Sequence, residues 1–151
     1  MDSRTGDSAP GMTGTSKPPG PAKPGGRALT VYRWTLATFL VAGVVQIFLA
    51  GLGAFKLLHG AGDSALDPHR TLGYALAGAA IVILIVTLIV RPGTRAIVGA
   101  VLLVLMTVVL QSLLAGLADD HVIFGALHAT DGLFILAIPA YLYVWSGRRL
   151  S

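Results

Sequence analysis

Four long apolar stretches constrain the fold of this chain more than any other feature. They cover residues 34–55, 71–90, 96–118 and 122–146, which are 22, 20, 23 and 25 residues long. The first three carry no charged residue, and the fourth carries only Asp131. A helix needs about 20 apolar residues to cross a bilayer. The sequence therefore predicts an all-α integral membrane four-helix bundle, with helices at about 31–59, 68–90, 95–118 and 121–147.

The composition argues against a soluble domain. Hydrophobic residues make up 54% of the chain and charged residues only 12%, whereas an ordinary soluble domain has about 25% charged residues. The chain has no Cys and no Glu, which excludes disulfides and thiolate metal sites. The basic residues lie at the ends of the apolar stretches rather than on one soluble face, so we expect no nucleic-acid partner.

Residues 1–28 differ from the rest of the chain. They hold five of the eight prolines and six glycines, with almost no large apolar residue. Such a segment cannot bury enough surface to offset the entropy of ordering it. We predict a disordered Pro/Gly-rich cytoplasmic tail over 1–28 and a transmembrane domain over 29–151.

The distribution of Lys and Arg predicts the orientation. Nine of the eleven lie in the tail, at the start of the first helix, in the loop between helices two and three, or at the C-terminus. By the positive-inside rule, both termini are cytoplasmic in a multi-pass protein of the cell membrane. An aromatic belt at that interface would comprise Tyr32, Trp34, Tyr141, Tyr143 and Trp145.

An internal repeat relates the two halves of the domain. Residues 46–52 read Gln-Ile-Phe-Leu-Ala-Gly-Leu and residues 111–117 read Gln-Ser-Leu-Leu-Ala-Gly-Leu. Each copy is followed by a His and then by a helix that opens with His-x-x-x-Gly. Since helices one and three run in the same direction, the sequence predicts two parallel-related helical hairpins. The matched Gln46 and Gln111 are expected to form interhelical hydrogen bonds.

All four histidines fall at the end of the bundle away from the termini. At about 1.5 Å per residue, His69 and His128 lie roughly 33 and 30 Å from the inner Arg boundary, so they are nearly level. His59 and His121 form a second level pair, about 6–10 Å further out.

A level His pair across a bundle is the arrangement that a bis-imidazole metal site needs. We expect one b-type haem, with His69 and His128 on the iron. Gly73 and Gly132, four residues after each His, would leave room for the macrocycle. Cations suit haem propionates, and the candidates are Lys56, Arg70, His59 and His121. A bare zinc or copper ion, held by the four His with Asp63 or Asp67, is the alternative.

The motifs carry a family resemblance over residues 31–147. His69-Arg-x-x-Gly73 opening one helix, and Leu-His128-x-x-x-Gly132 two helices later, resembles one half of haem A synthase and related b-type membrane cytochromes. The resemblance implies axial-ligand positions for His69 and His128. The synthase has two such bundles and a Glu before its His-Arg pair. This chain has one bundle and no Glu, which argues against synthase activity by this chain alone.

Asp131 is an intramembrane acid, and such residues are functional candidates by default. It could orient His128, relay protons, or pair with Lys56 or Arg70; an acid partly hydrated near the interface is the structural alternative.

The sequence thus predicts a redox protein rather than a stand-alone enzyme. It would transfer electrons to or from quinol or an outer partner, or handle haem for a respiratory or other membrane complex. A small transporter and a cofactor-free assembly or scaffold subunit are the alternatives. Helix one lacks the Glu of small multidrug exporters, which argues against drug export.

Overall fold

A computed structural model describes residues 25–149 of the chain, so most of the predicted tail lies outside the described residues. The described part is helical, and four helical spans are long and apolar enough to cross a membrane, as predicted. They are Gly26–Leu58, Asp63–Val90, Thr94–Leu117 and Val122–Gly147. The first span begins at Gly26, inside the stretch expected to be tail.

Five α-helices build these spans: α1 (Gly26–Leu58), α2 (Asp67–Val90), α3 (Thr94–Val104), α4 (Gln111–Leu117) and α5 (Val122–Gly147). A 3-10 turn, Asp63–Leu66, leads into α2, whose first turn contains Pro68. Proline is favoured there because its missing N–H would have no partner in the helix. Arg91 ends α2 in the left-handed conformation, with φ of 48°, and Pro92 follows it.

The third span is not a continuous α-helix. A π-helical segment, Leu105–Leu110, separates α3 from α4. A π turn adds a residue to the helix, so everything after it is rotated by about 100° relative to an uninterrupted α-helix. The direction of Gln111, the first residue of α4, therefore depends on this segment. The sequence predicted a continuous helix here, since no Pro or Gly marks the interruption.

The helices pack as a four-sided bundle. α1 contacts α2 and α5, and α3 also contacts α2 and α5. Within the described residues, no Cα atoms of the diagonal pairs α1–α3 and α2–α5 come within 8 Å of each other. α4 approaches α5 but neither α1 nor α2. The bundle is thus open between α2 and α4. This opening lies in the half of the bundle that carries the connections 59–66 and 118–121, and we call that half the loop end.

The opposite end, with Gly26, Gly147 and the 91–93 connection, is the terminal end, and two arginines close it. Arg33 donates a 2.6 Å hydrogen bond to the carbonyl of Tyr143, and its guanidinium group lies over the aromatic ring of Tyr143. Arg149 donates a 2.6 Å bond to the carbonyl of Pro92 and lies over Trp145.

The predicted aromatic belt is only partly correct. Trp34 and Tyr141 are 69% and 55% exposed, as belt residues should be. Tyr32 is fully buried and belongs to the core, because it lies on the same inward stripe of α1 as Leu36 and Phe39. The core is concentrated in the terminal half; its other fully buried apolar residues include Ala80, Ala96, Ala100 and Leu103.

Gly53 and Gly51 provide a matched test of packing at the loop end. A Cβ at Gly53 would lie 3.0 Å from the carbonyl oxygen of Ala65 and 2.5 Å from Leu66, whereas at Gly51 nothing lies within 4 Å. We expect Gly53→Ala to lower the free energy of unfolding by about 1–3 kcal/mol, since backbone must move to accept the methyl group. Gly51→Ala should raise it by about 0.5–1 kcal/mol. Denaturation in detergent micelles measures both, and equal effects would contradict this packing.

Candidate functional site

His69 and His128 are neighbours in the interior of the bundle. Their ring centroids are 6.2 Å apart and the ring planes are inclined by 69°. His69 lies in the first turn of α2 and His128 in the second turn of α5. Both side chains are half-buried. α2 and α5 lie diagonally opposite each other in the bundle, and their backbones are not in contact. The two histidine rings meet in the space between these two helices.

Each histidine is held by a glutamine of the preceding span through two reciprocal hydrogen bonds. Gln46 donates from Nε2 to the carbonyl of His69 at 2.9 Å, and the Nδ1 of His69 bonds to the carbonyl of Gln46 at 3.2 Å. Gln111 and His128 repeat both bonds, each at 3.2 Å. We call these pairs the Gln–His units. The predicted interhelical bonding of the two glutamines is confirmed.

The hydrogen bonds assign the proton on each neutral ring. A carbonyl oxygen only accepts, so Nδ1 must carry the hydrogen that it donates. In the neutral imidazole the lone pair then resides on Nε2. A ligating histidine generally donates its other N–H to a carbonyl or carboxylate, which fixes the ring and raises its basicity. Both Gln–His units meet this requirement.

Gly73 and Gly132 lie beside the amide groups of the two glutamines. A Cβ at Gly73 would lie 3.1 Å from Nε2 of Gln46, and a Cβ at Gly132 would lie 3.5 Å from Nε2 of Gln111. The expectation was that these glycines leave space for a macrocycle. The structure places the glutamine amides beside them, and of the two positions only Gly73 is one where a Cβ would be closer than an ordinary van der Waals contact.

Several buried oxygen atoms near the histidines have no hydrogen-bond partner within residues 25–149. They are Oε1 of Gln46, Oε1 of Gln111 and both carboxyl oxygens of Asp131. Asp131 is only 5% exposed, which argues against an acid at the surface of the bundle. It also forms no ion pair with Lys56 or Arg70, because the ion pair of Arg70 is with Asp67 at 3.2 Å.

The remaining predicted site residues lie apart from the ring pair. His59 and Lys56 are exposed, and Nδ1 of His59 bonds to the carbonyl of Phe55 at 2.7 Å. His121 is exposed beside Phe124, with ring centroids 6.1 Å apart. Arg70 is also exposed. Of the four histidines, the structure therefore brings together only His69 and His128.

The donor set is limited to these two rings. Over residues 25–149, no group of three or more His, Cys, Asp or Glu side chains is placed to hold a metal ion. A four-coordinate zinc or copper site built from protein side chains alone needs more ligands than this. Two imidazoles with available Nε2 atoms suit a group that brings its own equatorial ligands.

Four spanning helices and an interior with few polar groups define a multi-pass integral membrane protein of unknown function. Residues 46–119 match the model of DUF6220, a family of unknown function. The match includes Gln46, His69 and Gln111 and ends before His128. No curated protein and no solved structure matches the chain, so the resemblance to haem A synthase gains no support from these comparisons.

Removing the glutamine side chains tests the Gln–His units. We expect Gln46→Leu and Gln111→Leu each to lower the free energy of unfolding in mixed micelles by about 0.6–1.7 kcal/mol, the range for interhelical bonds in membranes. Ser112→Ala, at an exposed position of α4, is the control and should change little. Glutamine variants as stable as this control would show that the bonds do not support the bundle.

Proposed function

We propose that the protein binds one b-type haem through His69 and His128 and acts in electron transfer or haem handling. The observation that carries the proposal is the pair of Gln–His units, which direct both Nδ1 atoms to carbonyls and leave both Nε2 atoms for a ligand. A histidine that served only as a polar residue near the membrane interface would not need its Nδ1 fixed by a hydrogen bond that is repeated in the other hairpin.

The separation of the rings fits two ligands of one metal. Metal–nitrogen bonds are about 2 Å, and each nitrogen lies roughly 1 Å from its ring centre, so coaxial imidazoles have centroids about 6 Å apart. The observed value is 6.2 Å. The diagonal helices also leave the middle of the bundle without close backbone contacts. These two observations support the proposed haem, and the opening between α2 and α4 would be its route of entry.

A bound b-type haem would supply one-electron chemistry between the ferric and ferrous states. The protein's part is to hold the two imidazoles and to fix their orientation through the Gln–His units. Lys56, Arg70, His59 and His121 at the loop end remain candidates to receive the propionates, as exposed cationic or polar groups. Quinol from the bilayer or a membrane complex is the proposed partner.

The proposed topology has two parallel-related hairpins, with both termini cytoplasmic in the cell membrane. The repeated Gln–His units support the relation between the hairpins. The arginines that close the terminal end support the orientation, because positively charged ends face the cytoplasm. The haem would then lie towards the outer leaflet.

The absorption spectrum of the purified protein tests this proposal. After expression with added haem, we expect a Soret band, with one haem per chain and the low-spin spectrum of two imidazole ligands. His69→Ala and His128→Ala should each abolish that low-spin spectrum. His59→Ala and His121→Ala are matched controls and should retain it, since neither ring lies with the pair.

A colourless protein that is folded and stays colourless on titration with haemin would contradict the proposal. That result would favour a cofactor-free membrane subunit. Retention of the low-spin spectrum in His69→Ala would equally overturn the assignment of the ligands.

A further inference from the structure

Asp131 is a buried acid that the proposed haem site does not use. It lies on the inward stripe of α5 with Ile135, Pro139 and Leu142, and both carboxyl oxygens lack a hydrogen-bond partner. It follows His128 by three residues, about 4.5 Å along the helix towards the terminal end. The corresponding residue after His69 is Leu72. The carboxyl group is therefore specific to the second hairpin and is not required by the repeat.

Among the described residues, Gln46 and Gln111 each carry a further buried oxygen without a hydrogen-bond partner, and both side chains lie beside the glycines that follow the two histidines. The amide of Gln46 donates to the carbonyl of His69, and the amide of Gln111 donates to the carbonyl of His128. These bonds fix the two side chains, and the Oε1 atom of each is buried in the bundle. Asp131, Gln46 and Gln111 thus supply acceptor oxygens from α5, α1 and α4. Acceptors cannot satisfy one another, and unsatisfied buried oxygens are costly in a bilayer. The set needs a positively charged or donating species.

Among the described residues, His128 interacts electrostatically with Asp131, but no ion pair joins Asp131 to a basic side chain. Along the level of the carboxyl group, α1, α4 and the π segment contribute no titratable side chain. The histidine rings of α2 and α5 are the nearest titratable groups, and no ion pair joins either to Asp131. Lys56 and Arg70 are exposed at the loop end. An ionised carboxyl group in such an interior needs a counter-charge, which a cation from outside the chain can supply.

We propose that Asp131, with the amide oxygens of Gln46 and Gln111, binds a sodium ion inside the bundle. Carboxylate and amide oxygens are hard ligands, which suit sodium rather than copper or zinc. A single carboxylate balances a single positive charge. A divalent ion would leave an excess charge in a medium of low dielectric constant, and Asp131 is the one buried acid among the described residues.

The loop end provides a route to this site. The bundle is open between α2 and α4 there, and four exposed acids lie in or next to the connections at this end: Asp63, Asp67, Asp119 and Asp120. They outnumber the two basic residues at that end, Lys56 and Arg70. A net negative entrance raises the local concentration of cations. Sodium binding at this site does not require haem, because neither His69 nor His128 is among the proposed sodium ligands.

Thermal unfolding of the haem-free protein in detergent tests the site. Sodium chloride is compared with choline chloride at one ionic strength, and potassium chloride shows the selectivity. We expect sodium to raise the Tm in a saturable manner, because an ion that binds only the folded state stabilises it. Asp120→Asn, at an exposed acid, should keep the full shift. Asp131→Asn and Asp131→Leu should lose it, and the leucine matches the residue of the first hairpin.

Equilibrium dialysis with radioactive sodium provides a second readout, which does not depend on unfolding. One sodium ion per chain, lost in both Asp131 variants, supports the proposal. A Tm that is the same in sodium and choline, with no bound sodium, would overturn it and assign the neutralisation of Asp131 to a proton. Unchanged binding in Asp131→Leu would overturn it as well. Since the protein is free of haem throughout, neither result depends on the proposed haem site.

Discussion

The site depends on a pair of hydrogen bonds that occurs twice in the bundle. In each copy, a glutamine amide donates to the carbonyl of a histidine, and the imidazole of that histidine donates to the carbonyl of the glutamine. In lipid, a polar side chain must find its partner within the protein. Gln46 and Gln111 do so by bonding to the very residues whose rings they orient. Each unit joins the two helices of one hairpin and directs its ring to the centre of the bundle, where the two hairpins meet.

The two halves of the bundle differ in what they provide. The terminal half holds the close-packed core and is closed by Arg33 and Arg149, which bond to carbonyls of other segments. The loop half carries the Gln–His units and the unpaired Asp131, and α4 stands away from α2 there. The terminal half thus fixes the arrangement of the helices, while the loop half offers polar groups and access to a ligand.

The sequence predicted the four spans because uncharged stretches of this length have few other solutions, and it predicted the bonding of Gln46 and Gln111 because the motif is repeated. It did not predict the partners of these glutamines. Gly73 and Gly132 suggested space for a cofactor, and the amides of Gln46 and Gln111 lie beside these two positions. The π segment before Gln111 and the burial of Tyr32 also escaped prediction, since both depend on which face of a helix meets its neighbours.

The protonation of the two rings tests the account most directly. Nitrogen-15 NMR of histidine-labelled protein, with His59→Ala and His121→Ala used to assign the signals, distinguishes the two neutral tautomers. The account predicts that His69 and His128 carry hydrogen on Nδ1 and a lone pair on Nε2, and that Gln46→Leu perturbs the His69 signal more than that of His128. Hydrogen on Nε2 of either ring in the haem-free protein would contradict it.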